Sequence, residues 1–199
     1  MTIITILDLL GTFVFAISGS LVARNREFDI FGALVVAFAT ALGGGTIRDL
    51  LIGVAPVGWM LDAKYLVAVI AGVGVAAFFS TILLKLRKTL FLFDTIGIGI
   101  FTLIGIQKAL AQGLSPGVAL MMGIVSAVFG GVVRDILCNE VPLIFRKEIY
   151  ATACLAGGTI YLVGIHLGVN NTVAMVACML LIIGIRLISV MKKIALPKI

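Results

Sequence analysis

Charge is what this sequence has least of. Its 15 basic and 9 acidic residues make up 12% of a 199-residue chain that is 62% hydrophobic. Soluble domains carry about 25% charged residues because their surface must be solvated. Covering a globule of this length with so few would leave broad apolar patches. An ordinary soluble enzyme, a disordered chain and a nucleic-acid-binding domain are therefore excluded, and the net charge of +6 is not a basic stripe awaiting nucleic acid. Histidine and cysteine are scarce as well. The single histidine, His166, ends an apolar run and reads as an interfacial residue. Cys138, Cys154 and Cys178 sit inside apolar runs and read as small buried hydrophobes. With no Cys/His cluster, neither a metal nor a cofactor is expected. No basic residue precedes Arg24, so the first apolar stretch is not expected to be a cleaved signal peptide.

What the chain has in abundance is long apolar runs. Seven of them cover approximately 2–23, 30–53, 65–84, 90–111, 115–138, 149–168 and 172–190. At 1.5 Å per residue, each is long enough to cross about 30 Å of hydrocarbon. Breakers and charges fall between the runs, and strand alternation does not recur, which disfavours a β-barrel. The expectation is an all-α integral membrane protein, a single transmembrane domain over 1–199 with seven transmembrane helices. Basic residues orient it. With the N-terminus outside, the inner connections and tail hold Arg24, Arg26, Lys85, Arg87, Lys88, Arg134, Arg146, Lys147, Arg186, Lys192, Lys193 and Lys198. The outer connections hold only Arg48, Lys64 and Lys108. The positive-inside rule thus predicts an external N-terminus and a cytoplasmic C-terminus.

The chain also repeats itself. Residues 8–72 align with 94–158 at a constant offset of 86, with 15 identities in 65 pairs. Asp8 meets Asp94, Gly11 meets Gly97, Phe15 meets Phe101 and Gly19 meets Gly105. The motif GGGTIRDLL at 43–51 meets FGGVVRDIL at 129–137, and Pro56 meets Pro142. Apolar composition raises chance identity but does not align Asp, Arg-Asp and Pro at one offset. The reading is an inverted repeat of two three-helix units, about 2–84 and 90–168, followed by a seventh helix at about 172–190. Because three is odd, the two units enter the membrane from opposite faces, the plan of many transporters with midplane sites between repeats.

Candidate pathway residues follow from the repeat. Gly43, Gly44 and Gly45 fall in the second segment, and Gly130 and Gly131 in the fifth. Each glycine costs up to about 1 kcal/mol of helix propensity, so the clusters predict kinked or broken helices. A break inside the bilayer is tolerated only against protein or a water-filled cavity, and its freed carbonyls and N–H groups would serve cation or anion binding. The alternative is close helix packing through small residues. Asp8 and Arg48 lie about 8 Å inside the outer boundary, with Asp94 and Arg134 at matching depth on the other side. Isolated intramembrane charges are costly. Two symmetric ion pairs are expected, Asp8–Arg48 and Asp94–Arg134, with Asp49 and Asp135 nearby. Thr46 and Ser126 join the list as pathway hydroxyls, alongside Ser18 and Thr40.

The paired glycine motifs, each followed by Arg-Asp in a duplicated seven-helix chain, resemble the prokaryotic TRIC (trimeric intracellular cation channel) family, related to bacterial putative glycine transporters. The resemblance covers essentially the whole chain, and its second motif has two glycines rather than three. It implies a homotrimer with one pore per protomer, constricted at glycine-kinked second and fifth helices and conducting monovalent cations, K⁺ and Na⁺. It implies a prokaryotic inner-membrane location with lipid as the surrounding partner. The same site also fits a secondary transporter of a small amino acid such as glycine. A purely structural membrane protein is less favoured, and no Ser-His, GxGD or His-Glu motif points to an intramembrane enzyme.

Overall fold

A computed structural model describes residues 3–85, 89–146 and 149–195, with side chains described outside 80–89. Arg87, Lys88, Lys147 and Lys198 of the charge tally lie outside the described residues. The described chain is all-helical: α1 (Ile3–Asn25), α2 (Ile30–Leu51), a short α3 (Gly58–Leu61), α4 (Lys64–Lys85), α5 (Thr89–Ala111), α6 (Pro116–Leu137), a 3-10 turn at Leu143–Phe145, α7 (Ala151–His166) and α8 (Asn171–Lys192). Five of these, α1, α2, α5, α6 and α8, are long and apolar enough to cross a membrane. Their 22 or 23 residues rise about 33 Å. The apolar stretches Lys64–Phe79 and Ala151–His166 are shorter. This is an all-helical, multi-pass membrane protein.

Local chemistry sets the helix ends. Asp29 caps α2, its carboxylate accepting from the Gly32 amide at 2.7 Å, and Asn170 caps α8 by accepting from Thr172 N at 2.9 Å. The tight connection between α5 and α6 is closed by Gly113, whose φ of +76° is open to glycine at no steric cost, and by Pro116 at the first turn of α6. Two short turns follow the repeated motifs at matching places: α3 after α2, and the 3-10 turn after α6. Neither is anticipated by apolar run length, since each is only three or four residues long.

Packing sorts the long helices into two classes. Two-thirds (67%) of the most apolar window of α1 and of α5 is buried, against 33–39% for α2, α6 and α8. So α1 and α5 form the centre, while α2, α6 and α8 turn large side chains such as Phe31, Met121 and Leu180 outward. In a bilayer this apolar exterior is the expected lipid-facing surface. The core brings Phe15 of α1 onto Phe101 of α5, with ring centroids 5.1 Å apart.

The glycine clusters do not break their helices. Helical backbone is continuous through Gly43–Gly45 in α2 and through Gly130–Gly131 in α6. Their use is a close crossing. A Cβ on Gly44 would strike the Ser126 carbonyl oxygen of α6, and a Cβ on Gly130 would strike the Thr40 carbonyl oxygen of α2. The two backbones touch where a side chain would hold them apart, which is the small-residue packing of membrane helices.

Candidate functional site

Six elements, α1 to α6, meet at one end of the α2–α6 crossing. Arg48, 2% exposed, lays its Nε and Nη2 on the Oδ1 of its neighbour Asp49, at 2.9 and 2.7 Å. Its Nη1 donates to Ser126 Oγ of α6 at 2.9 Å, so the arginine ties α2 to α6 just beside the glycine contact. Asp49 Oδ2 accepts from the Gly58 amide opening α3 at 3.2 Å and stands 3.6 Å from Lys108 Nζ of α5. Asp8 of α1 accepts from the Tyr65 hydroxyl of α4 at 2.8 Å. Thr46 donates back to the Leu42 carbonyl and accepts from Trp59 Nε1 at 3.0 Å. Asp8, Asp49, Arg48 and Lys108 together sum to no net charge, as a desolvated cluster requires.

The second cluster has the same grammar. Arg134 Nε donates to Asp135 Oδ1 at 2.8 Å, and its Nη1 reaches both Ser18 Oγ of α1 at 2.9 Å and Asp94 Oδ1 of α5 at 3.0 Å. Asp135 Oδ2 accepts from the Leu143 amide at the 3-10 turn, 3.1 Å away. The Tyr150 hydroxyl lies 3.4 Å from Asp94 Oδ1. Arg186 of α8 completes the charge balance, its Nη2 lying 3.7 Å from Asp94 Oδ2 while its Nη1 donates to the Ile149 carbonyl at 3.1 Å. The Arg186 guanidinium carbon also lies 4.7 and 4.8 Å from the ring centroids of Phe91 and Tyr150.

Space around the clusters is unequal. The second opens on a cavity of about 290 Å³ lined by Asp94, Arg134, Asp135 and Arg186 and rimmed by Arg26, Glu140 and Arg146. Glu140 pairs with both rim arginines. The first holds only about 20 Å³ among Asp8, Thr12, Arg48 and Tyr65. That is room for about one water.

A family model described as glycine transporter matches residues 5–81 and 91–166. The chain belongs to that family. Among its relatives is a UPF0126 membrane protein of Vibrio cholerae, 35% identical over 98% of this chain and 82% of the relative. The UPF0126 inner membrane protein YadS of Escherichia coli K12 is 41% identical over 78% of this chain and 75% of its own. Among solved structures, a TRIC trimeric intracellular cation channel orthologue from Rhodobacter sphaeroides superposes with a TM-score of 0.91 at 34% identity, covering 98% of this chain and all of that one. A second structure, described in terms of conductance through TRIC cation channels, gives 0.87 at 34% identity over 100% and 98%. The resemblance to the TRIC family read from the motifs is thereby established, and these structural neighbours are channels rather than enzymes.

Within this family member, the sequence-predicted residues fall into place unevenly. Gly45 and Gly131 face the Arg48 and Arg134 side chains respectively, at 3.5 and 3.6 Å from where a Cβ would stand, while Gly43 has no neighbour within 4 Å of its virtual Cβ. Asp94 does pair with Arg134. Asp8 does not pair with Arg48: the arginine turns to Asp49 and Ser126, and Asp8 takes the tyrosine instead. Both arginines hold the adjacent carboxylate through Nε; the clusters differ at Nη1, which donates to Ser126 on Arg48 but to both Ser18 and Asp94 on Arg134, while Tyr65 takes Asp8. Ser126 is a partner of Arg48, whereas Thr40 is spent on the Val36 carbonyl at 2.6 Å. Sequence reasoning missed Tyr65, Tyr150, Lys108 and Arg186. The tyrosines were hidden by register: they stand 85 apart, one short of the offset that aligns the motifs. The two cations were counted toward topology, and nothing in their neighbours marks them as inward-facing.

Proposed function

We propose that this protein is a monovalent cation channel, carrying K⁺ and Na⁺, whose path runs between α1, α2, α5 and α6 and narrows where α2 and α6 cross at Gly44 and Gly130. The observation that carries this reading is the pair of buried, charge-balanced clusters on either side of that crossing. Neutral sums let a cation pass without meeting a net barrier, while the individual carboxylates of Asp8, Asp49, Asp94 and Asp135 supply oxygen ligands in place of water. Thr46, Ser126 and the faces of Gly45 and Gly131 complete the proposed wall.

The proposed architecture is one transmembrane domain of seven spanning helices, with α3 outside the count, arranged as an inverted repeat plus α8. Three findings support the repeat. The two stretches matched by the family model begin 86 residues apart. Phe15 rests on Gly97 while Phe101 rests on Gly11, and Gly19 meets Thr40 as Gly105 meets Ser126. Each of these contacts maps onto its partner at the same offset. We place the N-terminus outside and the C-terminus in the cytoplasm, on the charge distribution, in the inner membrane of a prokaryote. Assembly as a homotrimer with one pore per protomer rests on likeness to structures named as trimeric channels.

A second reading, secondary transport of a small amino acid such as glycine, is favoured by the description of the matching family model. With the helices unbroken, such a carrier would hold its substrate on the cluster side chains rather than on freed backbone. Purified protein reconstituted in planar bilayers under asymmetric K⁺ separates the two. Unitary currents reversing near the K⁺ potential support the channel; their absence, together with saturable glycine uptake and counterflow in proteoliposomes, would overturn it.

A further inference from the structure

Away from the charge clusters, α2 and α4 do not close on each other along their length. At the end where α1 finishes and α2 begins, a cavity of about 200 Å³ is lined by Ser20, Arg24, Asp29, Ala33 and Val73. It shares Ile30 and Val73 with a second cavity of about 410 Å³, whose other walls are Phe31, Leu34, Ile70 and Gly74. The two make one groove, polar at one end and wholly apolar beyond it. The apolar part lies on the membrane-facing exterior, where Ile30, Phe31 and Ile70 are 74, 70 and 61% exposed. Gly74 has nothing within 4 Å of its virtual Cβ, so the groove floor is open there.

The polar end is built from Ser20, Arg24 and Asp29. The Ser20 hydroxyl, in a residue only 4% exposed, has no hydrogen-bond partner, although helical serines in this protein normally bond back to their own helix or to an arginine. A buried unsatisfied hydroxyl costs free energy unless something outside the chain fills it. Arg24 stands one turn further along α1, about 6 Å closer to the helix end and on the same face. Asp29 brings an opposite charge from the start of α2, with one carboxylate oxygen on the Gly32 amide and the other not used in that cap.

We propose that this groove is a binding site for a phospholipid with a zwitterionic, primary-amine headgroup of the ethanolamine class. Arg24 takes the phosphate in a charge-assisted contact. Asp29 takes the ammonium, whose N–H donors a quaternary choline lacks. Ser20, one turn deeper, lines the wall at the level of the glycerol region, which lies below the phosphate in a bilayer. An acyl chain then follows the apolar walls between Leu34, Ile70 and Gly74. An anionic headgroup fits less well, because Asp29 would face it without a partner. A second copy of this chain fits less well too, because a protein side chain reaching Ser20 would have to pass between two exposed charges.

Native mass spectrometry of the detergent-purified full chain, incubated separately with phosphatidylethanolamine, phosphatidylcholine and phosphatidylglycerol, tests the assignment. One phosphatidylethanolamine per protomer is expected, at five or more times the occupancy of either other lipid. Arg24→Ala and Asp29→Asn should each lower it at least fivefold, the asparagine preserving the helix cap. Gly74→Trp, which adds bulk into open space, should abolish it while helicity and elution volume stay as in the parent. Equal retention of phosphatidylglycerol, or unchanged retention in Gly74→Trp, would overturn the proposal. So would efficient disulfide formation between protomers in Ile70→Cys, which would mean that a second copy covers the groove.

Discussion

Adjacent glycines in α2 should respond to the same substitution with opposite signs. In Gly44→Ala the new methyl meets the Ser126 carbonyl oxygen and lies near the Gly130 amide, both backbone atoms that cannot rotate away. α2 and α6 must part, losing dispersion along the crossing, and overpacking of this kind costs about 1–3 kcal/mol. In Gly43→Ala the methyl enters open space, so only helix propensity changes, a gain of roughly 0.5–1 kcal/mol. For a chain of this length 1 kcal/mol moves the midpoint by about 2–4 °C. Thermal unfolding in detergent should therefore show Gly44→Ala about 2–12 °C below the parent and Gly43→Ala at or slightly above it. A helix that must bend at its glycines predicts something different, since alanine would then harm both positions alike. Equal losses at Gly43 and Gly44 would refute the crossing argument and favour a kink there.

Other consequences follow from the charge clusters. Arg134→Gln removes the shared partner of Asp94 and Asp135, and stranding buried carboxylates costs about 3–5 kcal/mol; a loss below 1 kcal/mol in denaturant or thermal unfolding would mean the pair is hydrated. Arg48→Ala should alter conductance or assembly far more than Lys64→Ala, whose ammonium sits in an exposed pair with Asp62 at 3.1 Å. Indistinguishable currents and elution profiles for these two variants would remove Arg48 from the pathway. Arg186→Lys keeps the charge but loses planar stacking over Phe91 and Tyr150. It should destabilise the protein by about 0.5–2 kcal/mol, and a midpoint unchanged from the parent would assign the arginine no packing role.

Much of this was legible because charge is scarce in the chain. An Asp or Arg inside an apolar run has few explanations, and Asp94 with Arg134 formed the pair that their depths predicted. The glycines were legible as a cluster, but their close contact was not, since helix propensity is the same whether a glycine bends its own helix or admits a neighbour. Only the position of the α6 carbonyls separates those uses. Lys108 and Arg186 were illegible for a related reason. Long side chains reach across one or two turns, so a cation near a helix end can serve solvent or a buried carboxylate from one sequence position. Arg186, 1% exposed, does the second. The Asp8 partner failed because depth alone ranks no competitor: the Tyr65 hydroxyl, out of register with the repeat, takes the Asp8 carboxylate.

The two clusters differ most in the space beside them. Both clusters hold four buried or half-buried charges of zero sum, yet one faces about 290 Å³ of space and the other about 20 Å³. A site with room for one water admits no thiol reagent, whereas the larger cavity admits a small cationic one. In a background lacking Cys138, Cys154 and Cys178, Val22→Cys lines the open side and Thr12→Cys the closed one. Methanethiosulfonate ethylammonium should modify Val22→Cys at least tenfold faster than Thr12→Cys in a non-conducting preparation. Under conditions that elicit current, the Thr12→Cys rate should rise toward the other, because a conducting path must widen beside Asp8 and Tyr65. Equal rates without current would mean that the closed side is already open to ions. Currents with Thr12→Cys still protected would place the path elsewhere in the fold.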